Sequence, residues 1–171
     1  MRRRIPQDQP PITDPAAARE AALKLLERTR RTRSDLARRL RDRGFASATV
    51  DEAFERLAGV GLIDDVEYAR AFLAGRWGRR AAGWRKLEND LRGRGISPDD
   101  IAAARARIEQ DTGGADEVAM AQRVIVQSAR RFAALDPRVR RQRLYALLVR
   151  RGFGGDTIQQ ALKLPVGGSD D

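Results

Sequence analysis

One fifteen-residue pattern occurs three times in this chain, and it limits what the chain can fold into more than any other feature. Eight residues before Gly44, Gly95 and Gly152 stand Leu36, Leu87 and Leu144, and four before stand Leu40, Leu91 and Leu148. One before are Arg43, Arg94 and Arg151, one after are Phe45, Ile96 and Phe153, and six after are Val50, Ile101 and Ile158. The shared pattern is L-x3-L-x2-R-G-[FI]-x4-[VI]. Spacings of fifty-one and fifty-seven residues are slightly longer than those of ordinary solenoid repeats, and they set the fold as an array of similar units.

Each position has a mechanical reason. Leucines four apart stack on one helix face. A glycine at the C′ position takes the left-handed conformation that ends the helix, and the apolar residue after it folds back on the last turn. A second helix follows, with Ser47, Ser97 or Asp156 placed to cap it and Val50, Ile101 or Ile158 as its first buried residue. Before each pattern runs a longer stretch with helical spacing, near residues 16–29, 65–77 and 115–133. No segment alternates with the period of two that a strand requires. The expected fold is all-α: three three-helix repeats over 16–63, 64–110 and 111–164. A Pro/Arg-rich tail over 1–15 and a short tail over 165–171 are expected to be disordered, the first because it holds four of seven prolines and few large apolar side chains. Units this small bury little alone and are expected to stack into an elongated array, straight or curved. Packing into one globule is the alternative.

Chemistry is limited by what is missing. The chain has no Cys and no His, which removes thiol catalysis, Cys-ligated zinc and the commonest general base. No cofactor is called for. No apolar run approaches the roughly 20 residues that span a bilayer, and the opening residues lack the apolar core of a signal peptide, so a cytoplasmic monomer with no membrane contact is expected. The 34 basic residues stand against 24 acids, and only Lys24, Lys86 and Lys163 are lysines. Such a surface attracts phosphates or an acidic protein.

The arginines fall into two sets. Arg38, Arg39, Arg41 and Arg43 run toward the C-terminus of the Leu36/Leu40 helix, where the helix dipole favours cations. A second set is expected immediately before the same helix of each repeat: Arg30, Arg31 and Arg33; Arg79, Arg80, Arg85 and Lys86; Arg138, Arg140, Arg141 and Arg143. Cations at a helix N-terminus are disfavoured. Their threefold recurrence is poorly explained by helix stability and marks the expected anion-binding face. Between two basic blocks, residues 44–75 hold six acids against Arg56 and Arg70. Asp51, Glu52, Asp64, Asp65 and Glu67 form a candidate protein-contact patch, with a solvated polar face as the alternative. The adjacent Asp64 and Asp65 read as an N-cap and a first-turn acid, with no third carboxylate placed to share a metal. Tyr68 and Trp77 fall on an apolar stripe and read as core, whereas Trp84, beside Arg85 in a glycine-bounded turn, reads as more open.

Residues 61–96, GLIDDVEYARAFLAGRWGRRAAGWRKLENDLRGRGI, resemble the central block of the bacterial RecX family of recombination regulators. The resemblance rests on Gly61 to Asp65, on Tyr68-Ala69-Arg70, on Arg76, and on Gly83 ahead of Lys86-Leu87, and the likeness covers about 150 residues. It implies a protein of three-helix repeats that lies in the groove of the RecA filament. There it would inhibit RecA's ATPase, strand-exchange and coprotease activities, and so modulate homologous recombination, DNA repair and the SOS response. It also implies contact with single-stranded DNA in some members, with double-stranded DNA an open extension. The alternative from another class is an autonomous DNA-binding regulator of helix-turn-helix type, which would need base-reading polar residues on a recognition helix. The second repeat helices, VDEAFERL and IAAARARI, offer few. With no His, no Cys and no clustered carboxylates, purified protein is expected to leave DNA uncut in Mg2+. Metal-dependent cleavage that disappears in Asp64→Asn would contradict this.

Overall fold

The three repeat glycines end helices in the way the pattern demands. In the computed structural model, which describes residues 10–77, 82–111 and 116–164, Gly44, Gly95 and Gly152 have φ of 91°, 78° and 85°. Each glycine N–H donates to the carbonyl three residues back, of Arg41, Arg92 or Val149, at 2.9 Å. The next N–H, of Phe45, Ile96 or Phe153, donates to Leu40, Leu91 or Leu148 at 3.2–3.3 Å. These are the two bonds of the Schellman motif, and the apolar residue that completes it is buried each time.

Nine α-helices stand among the described residues. The first repeat holds α1 (Pro15–Leu26), α2 (Arg33–Arg41) and α3 (Ser47–Gly59), and the second holds α4 (Asp65–Arg76), α5 (Trp84–Arg92) and α6 (Pro98–Asp111). The third holds α7 (Glu117–Phe132), α8 (Pro137–Arg150) and α9 (Gly155–Lys163). The fold is all-α, with no strand among those residues; a lone parallel bridge joins Ile12 to Phe45. The chain forms two compact units, one from the chain up to Arg70 with Leu91–Ala104, the other from Ala71–Asp90 with the chain from Arg105 onward.

In the first unit α1, α2 and α3 pack pairwise around Ala22, Leu36, Leu40, Val50, Phe54 and Leu57. In the second, α7, α8 and α9 do the same around Val124, Ile125, Leu144, Leu148, Phe153 and Ile158. Burying one such side chain contributes about 1.5–3 kcal/mol, against about 0–1 kcal/mol for an exposed ion pair. The apolar positions of the repeat therefore outweigh the many surface ion pairs in holding the fold. The matching residues of the middle repeat, Leu87, Leu91, Ile96 and Ile101, are equally buried.

A hydrogen-bonded junction joins consecutive repeats, and it occurs twice. In the first unit the buried Thr32, the N-cap of α2, accepts from the Asp35 N–H at 3.1 Å and donates through Oγ1 to the Arg94 carbonyl at 3.0 Å. The Arg33 N–H donates to Asp65 Oδ1 at 2.9 Å. In the second unit, at the matching places, the Gly83 N–H donates to the Arg151 carbonyl at 2.9 Å and the Trp84 N–H donates to Glu117 Oε1 at 2.9 Å. The acid at the first position of α4 or α7 thus satisfies a free N–H at the start of the second helix of the repeat before it. Glu117 also accepts from Thr157 Oγ1 at 2.9 Å.

The structure corrects three readings of the sequence and adds a turn that the repeat pattern does not mark. Ser47 and Asp156 do not cap α3 and α9: these helices start after Ala46 and Gly154, with no side-chain cap. The capping place is two residues after the repeat glycine, which only Ser97 occupies with a suitable side chain, and it accepts from the Asp100 N–H at 3.1 Å. The basic clusters do not simply precede their L-x3-L helices: Arg33 is the first residue of α2, Arg85 and Lys86 lie in the first turn of α5, and Arg138, Arg140, Arg141 and Arg143 do not precede α8. Asp136 caps α8 and Pro137 opens it, so these arginines lie within its first turns. The N-terminal segment is not wholly apart from the fold, because the Ile12 N–H donates to the Gly44 carbonyl at 2.7 Å and the Ile12 carbonyl accepts from the Ala46 N–H at 3.0 Å. Its backbone pairs with the first glycine turn while the Ile12 side chain stays exposed; residues 1–9 and 165–171 lie outside the described residues. Finally, Gly61 is a fourth left-handed glycine, with φ 71°. Its N–H donates to Ala58 at 2.9 Å and that of Leu62 to Leu57 at 3.0 Å, a Schellman turn that lacks the L-x3-L pattern.

Gly61 and Gly95 separate the conformational and packing roles of glycine. A Cβ at Gly61 meets nothing within 4 Å, whereas one at Gly95 would lie 2.3 Å from Ser34 Oγ. Gly61→Ala is expected to cost about 1–2 kcal/mol from its positive φ alone. Gly95→Ala is expected to cost more, and a double-mutant cycle with Ser34→Gly should recover the excess in urea denaturation. Equal costs at the two glycines would show that the junction does not close on Gly95.

Candidate nucleic-acid and partner interface

The arginines expected to form one face do three different things. Arg31, whose side chain is 16% exposed, donates to Asp35 Oδ2 at 2.9 Å and to the Leu25 carbonyl at 3.3 Å. It ties α1 to α2. Arg33 pairs with Glu55 at 2.9 Å and its guanidinium lies over Phe54, 5.6 Å from the ring centroid. Arg30 is exposed and makes no hydrogen bond or ion pair within the described residues. One member of the first cluster is therefore clear of internal partners and two are structural.

In the second cluster Arg85 and Lys86 occupy the first turn of α5, both exposed, with Lys86 Nζ 3.9 Å from Asp90. Arg79 and Arg80 lie outside the described residues. In the third, Arg138, Arg141 and Arg143 are exposed along α8 and Arg140 is half-buried, with Arg141 donating to the Leu162 carbonyl at 3.4 Å. The helix-end set is mostly committed. Arg38 and Arg39 join Arg31 on Asp35, Arg41 donates to the Ala37 carbonyl at 3.2 Å, and Arg43 donates to the Ala21 carbonyl at 3.4 Å. Burial raises the Asp35 pKa, but the hydrogen bonds from Arg39 and Arg31 outweigh it and hold the carboxyl below its ordinary value. The stability this adds is present above the ordinary aspartate pKa and is lost as pH falls through the lowered one.

The acidic patch divides as well. Asp51 and Glu52 are exposed on α3, Glu52 pairing with Arg56 at 3.1 Å. Asp64 caps α4 by accepting from the Glu67 N–H at 2.8 Å, and Glu67 pairs with Arg70 at 3.1 Å. Asp65 is half-buried at the junction, and burial pushes its carboxyl above the ordinary aspartate value despite the bond from Arg33. The folded state holds that proton more tightly than the unfolded chain, so this group's contribution falls as pH rises from the ordinary to the raised pKa. Arg30, Arg31, Leu62, Asp64, Glu67 and Tyr68 line one depression of about 300 Å3. It brings part of the first basic cluster together with part of the acidic patch, without Asp51 or Glu52.

Of the aromatic readings, that of Trp84 is overturned, while Trp77 packs partly buried against the core as expected. Trp84 is 3% exposed and stacks on Trp77, ring centroids 3.7 Å apart. The Arg105 guanidinium lies 4.8 Å from its centroid and pairs with Glu109 at 2.8 Å and Glu88 at 3.1 Å. Burial works against the Arg105 charge, but those two carboxylates outweigh it and raise its pKa. Tyr68 is only half-buried. Gly83, just before Trp84, marks close packing here and not an open turn, since a Cβ on it would lie 2.4 Å from the Gly152 carbonyl oxygen. Sequence reasoning missed Thr32, Arg105 and Glu117. Thr32 had a signal, a capping threonine three residues before Asp35, and Arg105 had one in Glu109 four residues on; Glu88 for Arg105, and the partners of Glu117, lie 17 to 40 residues away and left none. Among the described residues no group of three or more acids could hold a metal, and no helix is long and apolar enough to cross a membrane.

A chain of three three-helix repeats, each with a left-handed glycine ending its second helix and consecutive ones tied by an acid at a helix start, defines a helical-repeat protein. It belongs to the RecX family of regulatory proteins. The family models for the first, second and third three-helix domains of RecX match residues 18–57, 64–104 and 115–162 in that order. Proteins named Regulatory protein RecX are similar to it: one from Mycobacterium bovis is 34% identical over 142 residues, covering 80% of this chain and 79% of its own. Another, from Chlorobium phaeobacteroides, is 30% identical over 152 residues, covering 88% and 94%. The crystal structure of RecX from Lactobacillus salivarius has the same fold, with a TM-score of 0.78 at 21% identity, covering 88% of this chain and 95% of that one.

The division of the first arginine cluster can be tested by stability alone. Arg31→Ala leaves Asp35 with one fewer partner in a half-buried site and is expected to lower stability by about 1 kcal/mol. Arg30→Ala is expected to leave it within about 0.5 kcal/mol. Urea midpoints that move equally would place Arg31 in solution with Arg30.

Proposed function

We propose that this chain binds the nucleoprotein filament of the RecA recombinase and, by occupying it, restrains RecA's ATPase, strand-exchange and coprotease activities, so modulating recombination and DNA repair in the cytoplasm. The observation that carries this reading is the uninterrupted order of three RecX domains along residues 18–162. Restraint by occupancy requires only that the bound chain favour one state of the filament, and it needs no reacting group. The charge distribution fits such a role, because free arginines could meet phosphate while the exposed Asp51 and Glu52 could meet a basic protein surface. The helix-turn-helix alternative draws less support. The outward positions of α3 include the acids Asp51, Glu52 and Glu55, the second of them holding Arg56, and those of α6 include Ala102, Ala103 and Ala106, which carry little for reading bases.

Purified chain added to RecA on single-stranded DNA is expected to lower the ATPase rate and to sediment with the filaments. An unchanged rate at saturating chain, with the chain left in the supernatant, would remove the filament reading.

A further inference from the structure

The two junctions leave a cleft apiece, and the two clefts are built from matching positions of the repeat. In the first unit, a cleft of about 510 Å3 lies between the start of α2 and the end of α5, lined by Arg30, Ser34, Arg38, Arg92 and Arg94 among others. In the second unit, a cleft of about 360 Å3 lies between the start of α5 and the end of α8, lined by Arg85, Lys86, Asn89, Val149 and Arg150. Counted from the repeat leucines and glycines, Ser34 matches Arg85, Arg38 matches Asn89, Arg92 matches Val149 and Gly93 matches Arg150. The side chains differ, yet cations line both clefts: five with the single carboxylate Asp35 in the first, three with the single carboxylate Asp90 in the second.

Both carboxylates are already engaged, Asp35 by three arginines and Asp90 by Lys86. Arg30, Arg85 and Arg150 are exposed at the cleft edges and have no internal partner among the described residues. Arg30 just precedes a helix and Arg85 lies in a first turn, where the helix dipole opposes a cation. Folding thus gains nothing from these two charges where they stand. A guanidinium fork suits the two free oxygens of a phosphodiester, and a nucleic-acid strand carries that charge in its backbone, so it can lie across a cleft mouth. A protein carboxylate would have to reach between the two helix ends on a short side chain.

We infer that the two junction clefts are phosphodiester-binding sites through which the chain contacts nucleic acid directly, Arg30 serving the first and Arg85 with Arg150 the second. The inference stands apart from the filament reading, since it concerns bare nucleic acid. It also redraws the basic face: Arg31 and Arg33 are excluded by their internal partners, and Arg150, at the end of a helix, is included.

The test is anisotropy of a labelled oligothymidylate with the full chain, over a series of salt concentrations. Wild-type chain is expected to bind at low salt, with affinity falling as salt rises. Arg30→Glu should weaken binding about tenfold and lower the log-log salt slope by about 0.7 for the lost single-strand phosphate contact. Arg85→Glu with Arg150→Glu should do at least as much, and the effects of the two clefts should multiply. Melting curves verify folding, and the glutamine versions replace any variant that does not fold. The control reverses two exposed arginines outside both clefts, Arg19 and Arg123, and should leave the slope within a few tenths of wild type. A control that weakens binding as much as a cleft variant would mean diffuse attraction and overturn the inference, as would cleft variants that bind like wild type. No binding of bare oligonucleotide, combined with loss of RecA inhibition in the cleft variants, would assign the clefts to an acidic protein surface and also overturn it. Normal oligonucleotide results with no effect on RecA would leave the clefts standing and remove only the filament reading.

Discussion

The left-handed glycine turn is the constraint on which the rest depends. It ends the second helix of each repeat and, at the two junctions, is also the surface on which the preceding repeat rests: a Cβ on Gly95 would strike Ser34, and one on Gly152 would strike the backbone of Lys86. A residue with a side chain would fail there twice, once for its φ and once for its volume. In the first repeat the corresponding turn is met by the N-terminal segment, with Ile12 bonded to Gly44 and Ala46. The partner in that place is a stretch of extended backbone and not a helix start, so the same turn geometry accepts two kinds of neighbour.

The second requirement of a junction is that the N–H groups at the start of α2 and α5 find acceptors away from water. Asp65 and Glu117 supply them from the next repeat, and the two acids do so at different electrostatic cost. Asp65 has its carboxyl pushed up by burial and by the neighbouring Asp100 and Asp64, whereas Glu117 divides its oxygens between Trp84 N–H and the Thr157 hydroxyl. Among the described residues no acid from another repeat reaches the start of α8. Asp136 accepts from the N–H groups of Arg138 and Val139 instead, and the helix extends further toward its N-terminus than α2 or α5. That extension is why the third basic cluster stands wholly on a helix, whereas Arg30 and Arg31 of the first precede one.

What could be read from the sequence was what repeats locally. The leucine pairs, the glycines and the apolar residue after them lie within one or two helical turns of one another, so three copies fix helix ends and core positions together. Pairings across the junctions were not legible, because Thr32 to Arg94 and Trp84 to Glu117 span 62 and 33 residues, and hydrogen bonds impose no period on a sequence. Gly61 was overlooked for the opposite reason: it forms the same turn without the leucine pattern that made the others visible. Trp84 misled because a glycine neighbour can mean either a loop or close packing, and only the tertiary contact, Gly83 against Gly152, decides between them.

The basic surface shows why counting charges falls short of locating a site. A net charge of +10 says that anions are attracted, but an arginine contributes to a specific contact only if its guanidinium is not already held. Asp35 alone engages three arginines, and Arg105 lies between two glutamates and a tryptophan; of these, Arg31 and Arg105 act as long cross-braces between helices, a use that the planar fork of arginine suits better than lysine. Sequence position relative to the helix dipole separates Arg30 and Arg85 from the arginines near helix ends, but it cannot separate Arg30 from Arg31, which differ by one residue and face different neighbours. That distinction rests on where Asp35 and the Leu25 carbonyl lie, which folding determines. The functional surface of such a chain is the remainder after the fold has taken the arginines it needs.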